Sequence, residues 1–139
     1  MTPEEIDQLE AGRELDCLIA VHVMGWKQNS YAPSIMDEGG AWFNAEGRVE
    51  HLHETCFSTD IAAAWLAVQK LESQGMFIIF SNSGKDGNPR EISMRLNVAG
   101  FYKMEPLPVA HLKRIAEAKA LTAPLAICRA ALKTVMNGE

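Results

Sequence analysis

The sequence has no excess of basic residues and no long apolar run. Thirteen Lys and Arg residues stand against eighteen Asp and Glu, so the formal net charge is −5. A negative net charge disfavours a broad electrostatic grip on duplex nucleic acid or on an anionic membrane surface. No apolar stretch approaches the ~20 residues needed to cross a bilayer. We therefore expect no duplex nucleic acid and no membrane among the partners, whereas a small phosphorylated ligand needs only a few well-placed cations.

Cysteines are few and odd in number. Cys17, Cys56 and Cys128 lie far apart, which is typical of reduced thiols rather than of a disulfide framework. The N-terminal residues 1–5 are acidic at the position where a secretory signal is basic. Both features predict a cytoplasmic location.

Sequence motifs of common catalytic sites are also missing. There is no GxSxG elbow, no HExxH pair, no Walker-type Gly-rich loop with its lysine, and no GxGxxG after a predicted strand. His51, His53 and Cys56 could supply metal ligands from one extended segment, because residues two apart on a strand share a face. A fourth ligand is not evident, so solvated or hydrogen-bonded side chains are the favoured interpretation. We predict no metal and no cofactor.

The sequence does contain alternating helix and strand patterns. Its 139 residues, 47% of them hydrophobic, predict a single domain over residues 1–139 whose core needs no disulfide. After a short N-terminal helix capped by Thr2, the predicted helices cover residues 12–25, 58–74, 109–119 and 122–137. The predicted strands cover residues 41–43, 49–52, 76–80 and 91–98. This order predicts an α/β fold with helices on both faces of a small, mainly antiparallel sheet.

Three of these elements carry more specific predictions. The helix over residues 12–25 has an apolar face, and its opposite, polar face carries Glu14 and Asp16. The strand over residues 76–80 is apolar throughout, which predicts that both of its faces are covered. That strand is predicted to pair with residues 91–98 as an antiparallel hairpin.

Two predicted helices begin in nearly the same way, with Ser58-Thr59-Asp60 and with Thr122. Each start puts a hydroxyl where it can accept a backbone N–H of the first turn, and small residues that permit close packing follow. In one interpretation Ser58 caps its helix and Asp60 complements the helix dipole. In the other, the N–H groups and the Thr59 hydroxyl receive a ligand. Asp60 then favours a ribose or base edge over a bare phosphate, because a carboxylate accepts hydrogen bonds from hydroxyl or amino groups.

Aromatic and basic side chains near the Gly-rich segment 27–57 are suited to a nucleotide. Aromatic faces stack on bases, and Arg side chains bind phosphates in a bidentate manner. The predicted ligand contacts are Trp26, Lys27, Trp42, Arg48, Ser58, Thr59, Asp60, Arg95 and Thr122. Trp42 is preferred as a contact because binding residues concentrate in irregular segments. Trp26 and Trp65 are alternatively core anchors, an interpretation that we favour for Trp65.

Three blocks of the sequence, in this order, carry a family resemblance. They are GRELD with VMGW (residues 12–16 and 23–26), FSTDIAAAW (residues 57–65) and TAPLAICRAAL (residues 122–132). Together they resemble the phage ABA sandwich domain, a family of small bacteriophage and prophage proteins. The resemblance implies a three-layer α/β/α sandwich and no known enzymatic role. Residues 103–120 depart from the usual form and are predicted to be an insertion before the last helix.

Three functions are compatible with these features. We prefer a non-enzymatic phage protein of the host bacterial cytoplasm that binds a small nucleotide-type ligand, as a sponge for a cyclic-nucleotide or cyclic ADP-ribose immune signal. A homo-oligomer would let two chains close over one ligand. The alternative is a protein–protein interaction module of phage origin, acting through residues 27–57 or the helix predicted after Pro108. The third is a hydrolase that uses Asp60 or the His51 and His53 pair.

Overall fold

The computed structural model describes residues 1–28, 41–83, 96–106 and 108–137. The helices in these ranges are α1 (Pro3–Gln8), α2 (Arg13–Leu18), α3 (Ile61–Glu72) and α4 (Ala123–Asn137). The strands are β1 (Lys27–Gln28), β2 (Ala41–Phe43), β3 (Val49–His51), β4 (Met76–Ser83), β5 (Leu96–Glu105) and β6 (His111–Ala120). A π-helical turn (Ile19–Val23) follows α2 directly, and a 3-10 turn (Leu52–Glu54) follows β3.

The start of α1 and the end of the helical segment that begins with α2 lie at residues that favour those positions. The Thr2 hydroxyl accepts the Glu5 backbone N–H at 3.2 Å, and the Glu5 carboxylate accepts the Thr2 backbone N–H. This reciprocal pair is the predicted capping box of α1. Gly25, with a φ of +72°, follows the π-helical turn after α2, and glycine is favoured at such a positive φ. The predicted helix over residues 12–25 is confirmed, but it changes from α to π geometry midway.

The first sheet is small and antiparallel, in the order β1-β2-β3. Its β2–β3 hairpin, with Trp42 opposite Glu50, confirms the pairing predicted from the sequence. Asn44 closes the turn, because its Oδ1 accepts the backbone N–H groups of Glu46 at 3.0 Å and Arg48 at 2.9 Å. Strand β1 was not predicted, since two residues are too few for a recognisable pattern.

The second sheet has the order β4-β5-β6, and both pairings are antiparallel. The β4–β5 hairpin confirms the predicted pairing, although residues 91–95 of the predicted second strand lie outside the described residues. The helix predicted over residues 109–119 is wrong, because this segment forms β6 along the whole of β5. Its residues favour helix by intrinsic propensity, but pairing with a neighbouring strand overrides that preference. That residues 103–120 are an insertion relative to the family stays a prediction.

Helices α3 and α4 pack on each other, and α4 packs on one face of the second sheet. The buried side chains of that sheet face are Asn97, Ala99 and Phe101 of β5 with Ala116, Ala118 and Ala120 of β6. The buried alanines of the two helices are Ala63, Ala64, Ala67, Ala126, Ala130 and Ala131. Small residues on both surfaces leave little side chain between the backbones. The Ala-rich helix starts are therefore part of the core, as predicted.

The opposite face of the second sheet is more exposed. The predicted cover on both faces of β4 is wrong, because Phe77 and Ile79 are half exposed. β4 lies at the edge of its sheet, where neighbouring residues can cover less of each side chain. The structure shows a mixed α/β fold with antiparallel sheets. A second layer of helices over this outer face is not found among the described elements, so the three-layer sandwich stays a prediction.

None of the helices in the described ranges combines the length and the apolar character that a bilayer crossing requires.

Candidate functional site

A buried carboxylate lies in α2. Asp16 is only 6% exposed, and its Oδ1 accepts the backbone N–H of Ser58 at 2.7 Å. Loss of water around this carboxylate raises the pKa of Asp16, and hydrogen bonds from Ser58 offset only part of that rise. The prediction that Asp16 lies on an exposed helix face is wrong, because the loop before α3 packs over it. Asp16 is thus a desolvated acid held in one orientation.

The loop before α3 is fixed by Ser58, which is fully buried. The Ser58 hydroxyl accepts the Gly12 backbone N–H at 2.8 Å and so joins this loop to the start of α2. The predicted cap at Ser58 is wrong: α3 begins after Asp60, whose Oδ1 accepts the Ala62 backbone N–H at 3.0 Å. A turn intervenes, in which the Asp60 backbone N–H donates to the Cys56 carbonyl oxygen at 2.9 Å.

A cavity of about 230 Å³ opens between the start of α2 and this loop. Its lining residues are Gly12, Arg13, Asp16, Leu52, Cys56 and Thr59. We call it the first cavity. Arg13 and Asp16 both reach it because residues three apart in a helix are neighbours on its surface. The first cavity therefore combines a guanidinium, a buried carboxylate and a hydroxyl, which suits a ligand with both acceptor and donor groups.

A second cavity, also of about 230 Å³, lies beside the β2–β3 turn. Its lining residues are Met24, Trp26, Asn44, Ala45, Glu46, Glu50, Thr55, Leu66 and Lys70. The Trp26 ring is buried and lies 5.5 Å from the Phe57 ring, centroid to centroid. The Asn44 amide donates to Glu50 Oε1 at 3.0 Å, which fixes one carboxylate of the wall. The two carboxylates, Glu46 and Glu50, make this cavity less suited to an anion than the first.

The predicted ligand contacts do not converge on one pocket in the described residues. Thr59 lines the first cavity and Trp26 the second, and no lining residue is common to both. Ser58 and Asp60 flank Thr59, but Ser58 is buried and engaged with α2. Arg95 lies outside the described residues.

The remaining predicted residues are spread over the surface and the core. Lys27 is exposed on β1, and Arg48 is exposed in the β2–β3 turn. Thr122 is exposed directly before α4, where its carbonyl oxygen accepts the Ala126 backbone N–H at 3.1 Å. Trp42 is only 5% exposed, which leaves its indole little surface for a ligand. The prediction of Trp65 as a core anchor is wrong: its side of α3 faces solvent, and it is 41% exposed.

Sequence reasoning missed the two charged residues of the first cavity. Arg13 and Asp16 belong to the GRELD block, three residues apart, which is a usable signal for a shared helix face. The hydrophobic pattern alone assigns Asp16 to solvent. Its actual partner, Ser58, lies 42 residues further along the chain, and no local pattern encodes that contact.

The described thiols differ in accessibility. Burial raises the pKa of Cys128, which is fully enclosed in the core, as is typical of an inert thiol. Burial also raises the pKa of Cys17. Cys56 is half-buried in the wall of the first cavity.

Within the described ranges, no cluster of three or more His, Cys, Asp and Glu side chains is arranged to hold a metal ion.

Replacing Ser58 with alanine is expected to lower the free energy of unfolding by about 1–3 kcal/mol, because the Gly12 N–H loses its acceptor in a buried setting. Urea denaturation measures this difference. Thr59→Ala is the matched control, since the neighbouring Thr59 side chain is exposed and its loss should change stability by no more than about 0.5 kcal/mol. Equal losses in the two variants would contradict the role of Ser58.

Comparison with known proteins identifies a family. The family model of the phage ABA sandwich domain matches residues 17–132, which run from the end of α2 into α4. No curated protein and no solved structure matches the chain. Arg13 and Asp16 lie just before the matched span, whereas Cys56 and Thr59 lie within it. With most of its length matched, the chain belongs to the phage ABA sandwich domain family.

Proposed function

We propose that this phage protein binds a small nucleotide-type ligand without transforming it, and that it acts as a sponge for a cyclic-nucleotide or cyclic ADP-ribose immune signal of the bacterial host. The supporting observation is that Arg13, Asp16 and Thr59 line one cavity. A guanidinium binds phosphate oxygens in a bidentate manner. The carboxylate accepts hydrogen bonds from ribose hydroxyls or base amino groups, and the Thr59 hydroxyl can donate or accept.

The size of the first cavity bears on how the ligand is held. Pockets that bury a drug-sized ligand measure roughly 300–1,000 Å³, and the first cavity measures about 230 Å³. It therefore suits one ribose or one base, and the rest of a cyclic dinucleotide would lie outside it. A second copy of the chain is the proposed cover for that remainder, so the proposal includes a homo-oligomer in the host cytoplasm, where such a signal is produced.

Binding without turnover follows from what a sponge must do. A sponge lowers the free concentration of a signal in proportion to the number of its sites, and it needs slow release rather than chemistry. We therefore expect the ligand to be recovered chemically intact after incubation with the protein. A hydrolase would instead release a product, and Asp60→Asn or His51→Gln would abolish that release. Chromatography of the incubated ligand separates the two functions.

Isothermal titration with a panel of cyclic dinucleotides and cyclic ADP-ribose isomers tests the proposal. We expect at least one ligand to bind with a Kd below roughly 1 µM, about −8 kcal/mol. Arg13→Gln should raise the Kd of that ligand by about tenfold or more, because a charge-assisted hydrogen bond contributes about 1.5–3 kcal/mol. Arg48→Gln is the matched control, since Arg48 is exposed and lines neither cavity.

Three results of the titration would count against the proposal. If no member of the panel binds below roughly 1 µM, sequestration of these signals is refuted. If Arg48→Gln weakens binding and Arg13→Gln does not, the ligand lies outside the first cavity. If Thr59→Ala and Arg13→Gln both leave the affinity unchanged, neither of these two side chains contacts the ligand, and the first cavity is not its site.

The alternative, a protein–protein interaction module without a small ligand, is favoured by a different observation. The tip of the β5–β6 hairpin exposes three apolar side chains, Met104, Val109 and Leu112. Exposed apolar clusters are common at protein interfaces. Two results together would support this function. No ligand of the panel binds, and one phage or host protein is retained in a pull-down by the wild-type chain but not by the Leu112→Lys chain.

The proposal extends to the architecture. A three-layer α/β/α sandwich needs helices over the outer face of the second sheet, the face that carries Phe77 and Ile79. An experimental structure that covers the whole chain tests this arrangement, and an outer face bare of helices would contradict it.

A further inference from the structure

Strand β4 exposes apolar side chains on both faces at one edge of the second sheet. In the described part of the chain it pairs with β5 alone. Phe77 is 51%, Ile79 50% and Phe80 39% exposed. Successive residues of a strand point to opposite faces, so Phe77 and Ile79 lie on one face and Phe80 on the other. An additional strand would pair with the outer backbone edge of β4 and cover the flanks of these side chains on both faces, while their outward surfaces stay available to the helix layer proposed above.

The β4 edge also lacks the features that keep natural edges unpaired. Such edges are protected by charged side chains, prolines, bulges or very short strands. β4 has eight residues, Met76-Phe77-Ile78-Ile79-Phe80-Ser81-Asn82-Ser83, with no charge and no proline. Its register with β5 is unbroken from end to end.

The other edge strand of the same sheet is protected. β6 carries Lys113, Arg114, Glu117 and Lys119. Its pairing with β5 also contains a register shift at Tyr102, which indicates a bulge. One sheet thus has one protected edge and one unprotected edge. The contrast indicates that β4 is covered by a strand in the assembled protein, since an exposed apolar edge of this length promotes aggregation.

Charge and symmetry identify the strand that covers β4. The chain carries a net charge of −5, so two copies repel each other wherever their charged surfaces meet. An uncharged strand is where such copies can approach, and β4 itself is uncharged. Antiparallel pairing about a twofold axis brings β4 against β4 of another copy, apolar residue against apolar residue. We propose that two copies of the chain pair through β4 and so form a continuous six-stranded sheet.

The exposed area at β4 is consistent with a stable pair. A large apolar side chain has about 200 Å² of surface, so Phe77 and Ile79 each expose about 100 Å² and Phe80 about 80 Å² at these exposed fractions. Two copies together expose about 560 Å² on these side chains, and a paired strand covers the flank of each side chain that faces it, so they contribute a part of the ~1,000 Å² that a specific interface needs. The paired backbones and the flanking residues of β4 supply the remainder, and the backbone hydrogen bonds give the pairing its direction.

The mass of the chain in solution tests the pairing. Light scattering coupled to gel filtration should give twice the 15.3 kDa of one chain for the wild type, without added ligand. Ile79→Lys places a positive charge from each copy at the paired edge, which should raise the dissociation constant by at least ~100-fold, since facing like charges cost several kcal/mol. Leu112→Lys is the matched control: Leu112 is 46% exposed on β6, and its variant should stay dimeric.

Hydrogen exchange of the wild-type protein gives a second measurement that does not depend on a variant. In an unpaired edge strand, amides that point away from β5 exchange quickly. In the proposed dimer every interior amide of β4 is bonded and should be protected to a similar degree. Circular dichroism and thermal unfolding test whether Ile79→Lys is folded, and Phe77→Lys replaces it if it is not.

Several outcomes would overturn the proposal. A wild-type mass of 15.3 kDa at every concentration refutes the dimer. A folded Ile79→Lys chain that stays dimeric, or a Leu112→Lys chain that dissociates while Ile79→Lys does not, places the interface elsewhere. Fast exchange of alternate β4 amides refutes the strand pairing. A monomeric mass would also remove the second copy proposed as the cover of the ligand. None of these measurements depends on ligand binding, however, and the titration reports separately on sequestration, so the two failures are distinguishable.

Discussion

Replacing Phe57 with alanine is expected to lower the free energy of unfolding by about 3–5 kcal/mol, the range for removing a buried ring. Phe57 is fully buried and packs against the Trp26 ring at 5.5 Å between centroids. It lies next to Ser58, in the loop that closes one wall of the first cavity. The loss combines the transfer of the ring out of the core with the void that it leaves, because the neighbouring side chains collapse only partly.

Urea denaturation, with the dependence of the unfolding free energy on urea concentration fitted for each protein, measures the stability lost in Phe57→Ala. Trp65→Ala is the control, since it removes a larger ring from a position that is 41% exposed. Its cost should be smaller than that of Phe57→Ala, because part of the indole is already in contact with water and its removal from the surface leaves no enclosed void. If Trp65→Ala proves the more damaging, the sequence-based view of Trp65 as the core anchor would be restored.

Structural elements that are fixed by contacts between nearby residues were predicted from the sequence. The Thr2 capping box needs only residues three apart, and the β2–β3 hairpin needs only the turn that Asn44 closes. Thr122 lies directly before α4, where the pattern predicts the helix start, and its carbonyl oxygen accepts the Ala126 backbone N–H; that its hydroxyl caps the helix stays a prediction. In each case the partner atoms lie within four residues, so the local sequence contains the whole interaction.

Long-range contacts account for the failures. β6 consists largely of Ala, Lys and other helix-favouring residues, yet it is a strand because β5 offers a partner along its full length. Ser58 has the composition of a helix cap, yet its hydroxyl binds Gly12, 46 residues away. A local pattern cannot state which distant backbone group will compete for a side chain.

The residues of the first cavity also differ in whether a local sequence pattern identifies them. Thr59 was identified because a helix start marks it. Asp16 was assigned to solvent because the pattern of α2 contains no information on the loop that later covers it. A buried acid on an amphipathic helix becomes visible only when the partner segment is known, and this is why the charged half of the site was missed.

Replacing Asp16 with asparagine is expected to weaken ligand binding by about 10–100-fold, because a hydrogen bond to a charged group contributes about 1.5–3 kcal/mol. The same change is expected to stabilise the free protein at neutral pH. The asparagine Oδ1 can still accept the Ser58 N–H, while the cost of holding a desolvated charge disappears. Opposite effects on binding and on stability would indicate that the carboxylate is kept for the ligand rather than for the fold.

The stabilisation by Asp16→Asn depends on pH in a defined direction. Burial raises the pKa of Asp16 above its ordinary value of 3.8, so the native chain keeps this proton to a higher pH than the unfolded chain. The wild type therefore loses stability as the pH rises from 3.8 through the raised pKa, and the loss is complete above it. The asparagine variant has no such loss. The difference in the free energy of unfolding between Asp16→Asn and the wild type should therefore be absent in acid and reach its full value at neutral pH.

Urea denaturation of both proteins across this pH range, with titration of the ligand at neutral pH, measures the two effects. Glu14→Gln is the matched control: Glu14 also lies in the first turn of α2 but is exposed, so its variant should change neither quantity. A stability gain that is independent of pH would contradict the assignment of the cost to the buried charge. An unchanged affinity would mean that the ligand does not touch Asp16, and the first cavity would then be a structural feature of the helix junction.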